Sequence, residues 1–159
     1  MTQDAGSDIR ALASTPVTVD ASATVAEAAQ ELGKQHVGSL VVVEAGEPIG
    51  LVTDRDLTMA ALLRPEGSAP PTVGPVASRP LLSVDVDASL VDATLLFQRH
   101  CIRRIGVKDS GGVLVGVLSA DSVLQALGGR LADIAQALAR EFDQERSPQP
   151  AGSATFGSE

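Results

Sequence analysis

The chain has 159 residues, enough for one ordinary domain or two small units sharing an interface, and its 44% hydrophobic content is almost all aliphatic, with no Trp or Tyr and only Phe97, Phe142 and Phe156. Such a core suits strands covered by helices. A formal net charge of -8 and a pI near 4.6 exclude a nucleic-acid or anionic-membrane surface, which needs a basic face, and the single Cys101 excludes an internal disulfide.

No apolar run approaches the ~18 residues of a membrane span. Residues 1–8 lack the basic and apolar regions of a secretion signal and read as a flexible lead-in, so a cytoplasmic protein is expected. The first organised unit spans 9–64. A short strand is predicted over 17–19, and Thr24 with Glu27 three residues on is a capping-box signature that opens a helix. Val25, Ala28, Ala29 and Leu32 fall on one face of it. Residues 40–43 read as a buried strand, 44–48 as a turn and 49–53 as the return strand. A closing helix is predicted over 54–63, with Asp54 and Asp56 in its first turn, where the helix dipole favours negative charge. Pro65, Pro70, Pro71 and Pro75 then mark 65–79 as a linker that cannot be helical throughout.

The same unit recurs over 80–128. The stretch 19–29 matches 84–94 position by position, and 50–57 matches 116–123, with one residue inserted at the Gly111-Gly112 turn. Ser89 and Asp92 open its first helix, with Leu90, Ala93 and Phe97 facing inward, and 105–108 and 113–118 form its hairpin. The double glycine of that hairpin reads as a turn rather than a phosphate loop, because no Gly-Lys-Ser/Thr follows. Gly128-Gly129 is expected to stop the closing helix. A separate amphipathic helix over 130–145 would carry Leu131, Ile134, Ala135, Leu138 and Phe142 on one stripe, either folded back on its own module or offered as a packing surface. The tail, 146–159, is rich in Pro, Gly and Ser and is expected to be disordered.

A capped helix, an aliphatic hairpin and Gly-h-h-Thr/Ser-x-x-Asp before a second helix, occurring twice in the same order, resembles the CBS (cystathionine β-synthase) domain family over residues 9–127. Ile102-Arg103-Arg104-Ile105-Gly106-Val107 is similar to the family's second strand, with Gly106 where a Pro is usual. The resemblance implies an α/β (α+β) fold in which two tandem β-α-β-β-α repeats pack as one pseudo-symmetric module. It also implies two clefts able to take an adenine-containing ligand (AMP, ADP, ATP, NAD(H) or S-adenosylmethionine) and a homodimer built from the helices.

Thr53-Asp54-Arg55-Asp56 is the most informative tetrapeptide. A carboxylate at Asp56 can accept hydrogen bonds from both ribose hydroxyls, while the Thr53 hydroxyl and the helix-opening amides can face sugar or phosphate. By similarity to the family these are the ribose and phosphate contacts of one cleft. The alternative is that Thr53 caps the helix, Asp56 complements its dipole and Arg55 is solvated. In the second repeat the matching positions are Ser119 and Ser122, with an aspartate one place early at Asp121, so that cleft lacks its ribose carboxylate. Arg103 and Arg104, aligned with Gly38 and Ser39, should point to opposite faces of a strand, so at most one reaches a given cleft. Pro16, Val17 and Ile105 are candidates for an apolar adenine slot. His36 and Cys101 align at the helix-to-strand corners and are expected to fill packing positions. With His100 they make neither a catalytic dyad nor a zinc site.

The function expected is regulatory: a module sensing an adenosyl small molecule, acting on a separate regulated protein or through self-association. The alternative is a ligand-independent dimerisation scaffold. No nucleophile, base and orienting group come together for an enzyme, and neither a catalytic cofactor nor a metal is expected.

Overall fold

The computed structural model describes residues 9–146, with side chains to residue 142, so the expectations for 1–8 and for the tail beyond 146 lie outside the described residues. A one-turn helix α1 (Ile9–Leu12) precedes the first repeat, which runs β1 (Thr18–Asp20), α2 (Val25–Gln35), β2 (Ser39–Glu44), β3 (Glu47–Thr53) and α3 (Asp54–Leu62). The second runs β4 (Ser83–Asp85), α4 (Leu90–His100), β5 (Arg104–Lys108), β6 (Leu114–Ser119) and α5 (Ala120–Arg146). Each repeat forms a three-stranded sheet in sequence order: β1 lies parallel to β2, β4 parallel to β5, and a hairpin closes each sheet. The repeat seen in the sequence is thus a repeat of topology, and the fold is the mixed α/β one expected.

Both faces of the central strands are covered, which is why they read as unbroken apolar runs. Leu40 and Val42 of β2 enter a core with Val25, Ala28 and Leu32 of α2, while Val41 between them packs with Leu51 and Val117 where the two sheets meet. In the second repeat Ile105, Val107 and Leu118 meet Ala93 and Phe97. Ala29, expected on the inner face of α2, is exposed.

Capping boxes open three helices, at Thr24/Glu27, Thr53/Asp56 and Ser89/Asp92. The Thr24 backbone and side chain both donate to Glu27, and the Ser89 side chain and backbone both donate to Asp92; these bonds hold each carboxyl below its ordinary pKa. Ser22 lowers Asp20 in the same way, side chain first and then backbone.

Two expectations change. His36 and Cys101 are not packing residues: both are exposed and sit at φ 52 as left-handed C-caps, their N–H groups bonded to Leu32 and Phe97 carbonyls. Gly128-Gly129 is not a stop either, since α5 continues through it as one helix of 27 residues. Two glycines cost roughly 1 kcal/mol each in a helix, and neighbours such as Leu124, Gln125, Ala126, Leu127, Arg130 and Leu131 are strong helix formers.

By internal contacts the chain divides into two units, one ending at Val123 and one beginning at Leu124. Along the second, Leu124, Leu127, Leu131, Ile134, Leu138 and Phe142 are exposed. No helix among the described residues is long and apolar enough to cross a membrane.

Candidate functional site

The segment leading into each repeat's first strand crosses to the other repeat. Ser14 exchanges both backbone hydrogen bonds with Val117 of β6, at 2.9 Å each, and Ser78 exchanges both with Leu51 of β3, at 2.9 and 3.1 Å. Leu81 then donates to the Ile49 carbonyl at 3.0 Å. This crossing explains the glycine of the Gly-h-h-Thr/Ser pattern. A Cβ on Gly50 would collide with the Ser78 carbonyl oxygen, and one on Gly116 would lie 2.8 Å from the Ala13 methyl. Glycine is needed for close approach, and neither backbone is left-handed.

Because of the crossing, each Thr/Ser motif faces the start of the opposite repeat. One cleft, of about 300 Å³, brings Thr53, Arg55 and Asp56 together with Pro80, Leu81 and Leu82 and with Ile102, Arg103 and Arg104. The other, of about 180 Å³, brings Ser119 together with Thr15 and Val17, Gly38 and Ser39, and again Arg104. A larger groove of about 750 Å³ lies along α2, α3 and the linker, but its walls are mainly apolar and it shares only Asp54 with the larger cleft.

Thr53 and Asp56 are partly buried and tied to each other. Asp56 Oδ2 accepts from the Thr53 backbone N–H at 2.9 Å and from its hydroxyl at 2.7 Å, and the Thr53 oxygen accepts from the Asp56 N–H at 3.4 Å. The capping role is therefore real. It leaves Asp56 Oδ1 without a hydrogen bond among the described residues, so capping and ligand binding are compatible. Ser119 and Ser122 reproduce the cap without a charge: their hydroxyls lie 2.7 Å apart and Ser122 N–H donates to Ser119 Oγ at 3.0 Å. Ser122 lines neither cleft directly.

The adenine-slot candidates lie outside the Thr53/Asp56 cleft. Ile105 is fully buried in the second repeat's core and touches no cleft. Val17 and Gly38 belong to the smaller cleft, and Pro16 to a separate surface depression. Their counterparts one repeat on, at an offset of 65 residues, are Leu81, Leu82 and Arg103, and these do border the Thr53/Asp56 cleft. The repeat alignment held this signal; what local sequence does not show is that the segments exchange partners.

Arg103 and Arg104 both border the larger cleft, contrary to the alternation argument, because β5 begins only at Arg104 and Arg103 lies in the turn before it. Arg103 Nη2 bonds both Asp121 oxygens, at 3.2 and 3.0 Å, with both side chains more than half exposed. Asp121 is the ion-pair partner of Arg103, and such an exposed pair adds little stability. Arg104 is half-buried and borders both clefts; it makes no hydrogen bond or ion pair among the described residues. Its Nη2 lies so near Gly38 that a Cβ there would be 2.6 Å away.

A family model for the CBS domain matches residues 7–63 and again 73–129. The chain is 35% identical over 102 residues to the CBS domain-containing protein YhcV of Bacillus subtilis, covering 64% of this chain and 71% of that protein. It spans 66%, 71% and 65% of the length of three of the curated relatives it matches, and 22% and 29% of two others. Among solved structures it resembles the CBS domain protein PAE2072 from Pyrobaculum aerophilum complexed with AMP, at 29% identity and a TM-score of 0.64, covering 77% of this chain and 98% of that one. It also resembles CBSX2 in complex with AMP, at 25% identity and a TM-score of 0.63, covering 76% and 96%. Two matched domains, two repeats of one topology and two clefts between them lead to one conclusion: the chain belongs to the CBS domain family, as a tandem pair.

Proposed function

We propose that the larger cleft binds an adenine nucleotide and that the protein is a regulatory sensor rather than an enzyme. The observation that carries this reading is Asp56, whose Oδ1 is uncommitted among the described residues at the edge of a cavity that also holds Arg103 and Arg104. Asp56 Oδ1 accepts from the ribose hydroxyls, Leu81, Leu82 and Ile102 give the base an apolar slot, and Arg55, Arg103 and Arg104 attract phosphate. The volume of about 300 Å³ sits at the lower bound for small-molecule sites, roughly 300–1,000 Å³, and the smaller cleft lies below it. The AMP carried by two structural relatives agrees with this chemistry.

A ligand gripping Thr53 and Asp56 from one repeat and residues 80–82 and 102–104 from the other favours one arrangement of the repeats over others. The regulated protein is a separate chain in the cytoplasm, or a second copy of this one. Exposed Leu62, Leu63, Val91 and Leu95 on and beside the helices favour a homodimer through those faces, and they also give the ligand-independent scaffold its best support.

The test is calorimetric titration of AMP, ADP, ATP, NAD(H) and S-adenosylmethionine into wild type and Asp56→Asn, which keeps an oxygen to cap Thr53 but removes the charge. Saturable binding weakened roughly tenfold or more in the variant is expected, since a charge-assisted bond is lost. Absence of binding by every ligand, with a dimer that persists, supports the scaffold.

A further inference from the structure

We infer that the smaller cleft is a binding site for a small tetrahedral oxyanion rather than a second nucleotide site. The proposal differs from the nucleotide reading in the hydroxyls that line the cleft and in its charge balance, while Arg104 borders both clefts.

The cleft is lined by hydroxyls, apolar groups and one cation, Arg104, and no carboxylate borders it. Arg104 is half-buried, and no acceptor or counter-charge among the described residues engages its guanidinium. A partly desolvated guanidinium with five N–H donors and no partner is a group waiting for an acceptor, and a carboxylate or phosphate-like oxygen fork matches its geometry. Arg103 does not serve the cleft, being paired with Asp121.

The replacement of aspartate by Ser122 changes the direction of a proton as well as a charge. In the first repeat the Thr53 hydroxyl must donate to Asp56 Oδ2, because an ionised carboxylate only accepts. In the second, either serine can donate across the 2.7 Å contact. When Ser122 donates to Ser119, the Ser119 oxygen accepts from both the Ser122 hydroxyl and the Ser122 N–H, and its own proton is released to a ligand. The hydroxyls of Thr15 and Ser39, which have no hydrogen-bond partner among the described residues, add two more donors. Donors surrounding one positive charge favour an anion, whereas a ribose diol finds only neutral hydroxyl acceptors here in place of a carboxylate.

Size points the same way. At about 180 Å³ the cleft falls below the roughly 300–1,000 Å³ of small-molecule sites, which suits a phosphate or sulfate better than a nucleoside.

The test uses inorganic phosphate as the probe, titrated calorimetrically into the full chain at constant ionic strength, with sulfate as a second probe. Wild type is expected to bind saturably. Arg104→Gln should weaken binding about tenfold or more, through loss of a charge-assisted contact. Ser122→Asp, which recreates the cap that folds normally at Thr53/Asp56, should weaken it comparably by adding a negative charge and recapturing the Ser119 proton. Arg99→Gln, an equal change of charge on exposed α4, should leave it unchanged. The proposal is overturned if wild type gives no saturable heat, if Arg99→Gln and Arg104→Gln weaken binding alike, or if Ser122→Asp binds as wild type does. Loss of AMP binding in Asp56→Asn with phosphate binding intact separates this site from the nucleotide cleft.

Discussion

Gly50→Ala should separate the two repeats, and the cost can be worked from the contacts. The new methyl would strike the Ser78 carbonyl oxygen and come within 3.2 Å of the Ser78 carbonyl carbon and Arg79 Cγ. That oxygen belongs to backbone held by three hydrogen bonds to β3, two between Ser78 and Leu51 and one from Leu81 to Ile49. It cannot swing aside as a side-chain tip would. Each such bond is worth about 1 kcal/mol net, and forcing a methyl into a packed interface costs about 1–3 kcal/mol. Losing one bond and part of a second gives a destabilisation of about 2–4 kcal/mol, a large part of a typical domain's roughly 5–15 kcal/mol. Gly33→Ala is the matched control: it lies inside α2 with nothing within 4 Å of a Cβ and should stabilise by about 0.5–1 kcal/mol. Urea denaturation of both variants and wild type measures the difference. A Gly50→Ala variant within about 0.5 kcal/mol of wild type would refute the argument that this glycine exists for close approach of the crossing segment.

Acid should loosen the helix caps. Because Glu27 and Asp92 have folded pKa values below their ordinary ones, their contribution is present above the usual carboxylate range near pH 4 and is lost as pH falls through the lowered values. Glu27→Gln, which keeps an acceptor for Thr24 but cannot titrate, should flatten the acid limb of a pH-stability curve; an unchanged limb would contradict the assignment. Gly128→Ala with Gly129→Ala should raise helicity by circular dichroism, at about 0.5–1 kcal/mol per site, because a Cβ at either position meets nothing within 4 Å. A fall in helicity would restore the stop expected from the sequence.

The sequence was most legible where local chemistry and repetition coincided. Thr24, Thr53 and Ser89 each cap the helix that follows, and the match of 19–29 with 84–94 became one topology used twice. What stayed hidden depended on chain segments far apart in sequence. No local pattern says that residues 78–81 add to β3 rather than to their own sheet, so the sequence alone does not show that Leu81 and Leu82 are the neighbours of Thr53. The strand rule failed for Arg103 because the strand starts one residue later, and the glycine rule failed at Gly128-Gly129 because strong helix formers on both sides outweigh two weak positions. His36 and Cys101 adopt the left-handed cap that glycine or asparagine usually takes, so composition gave no warning.

The central claim is that one nucleotide is held by the motif of the first repeat and the leading segment of the second. Backbone amide NMR of the full chain titrated with AMP tests it most directly. The account predicts that Thr53 to Asp56 shift together with Leu81, Leu82 and residues 102–104, while residues 14–17 and 37–39 move little. Shifts confined to residues 14–17 and 37–39, or no shifts at saturating AMP, would contradict it.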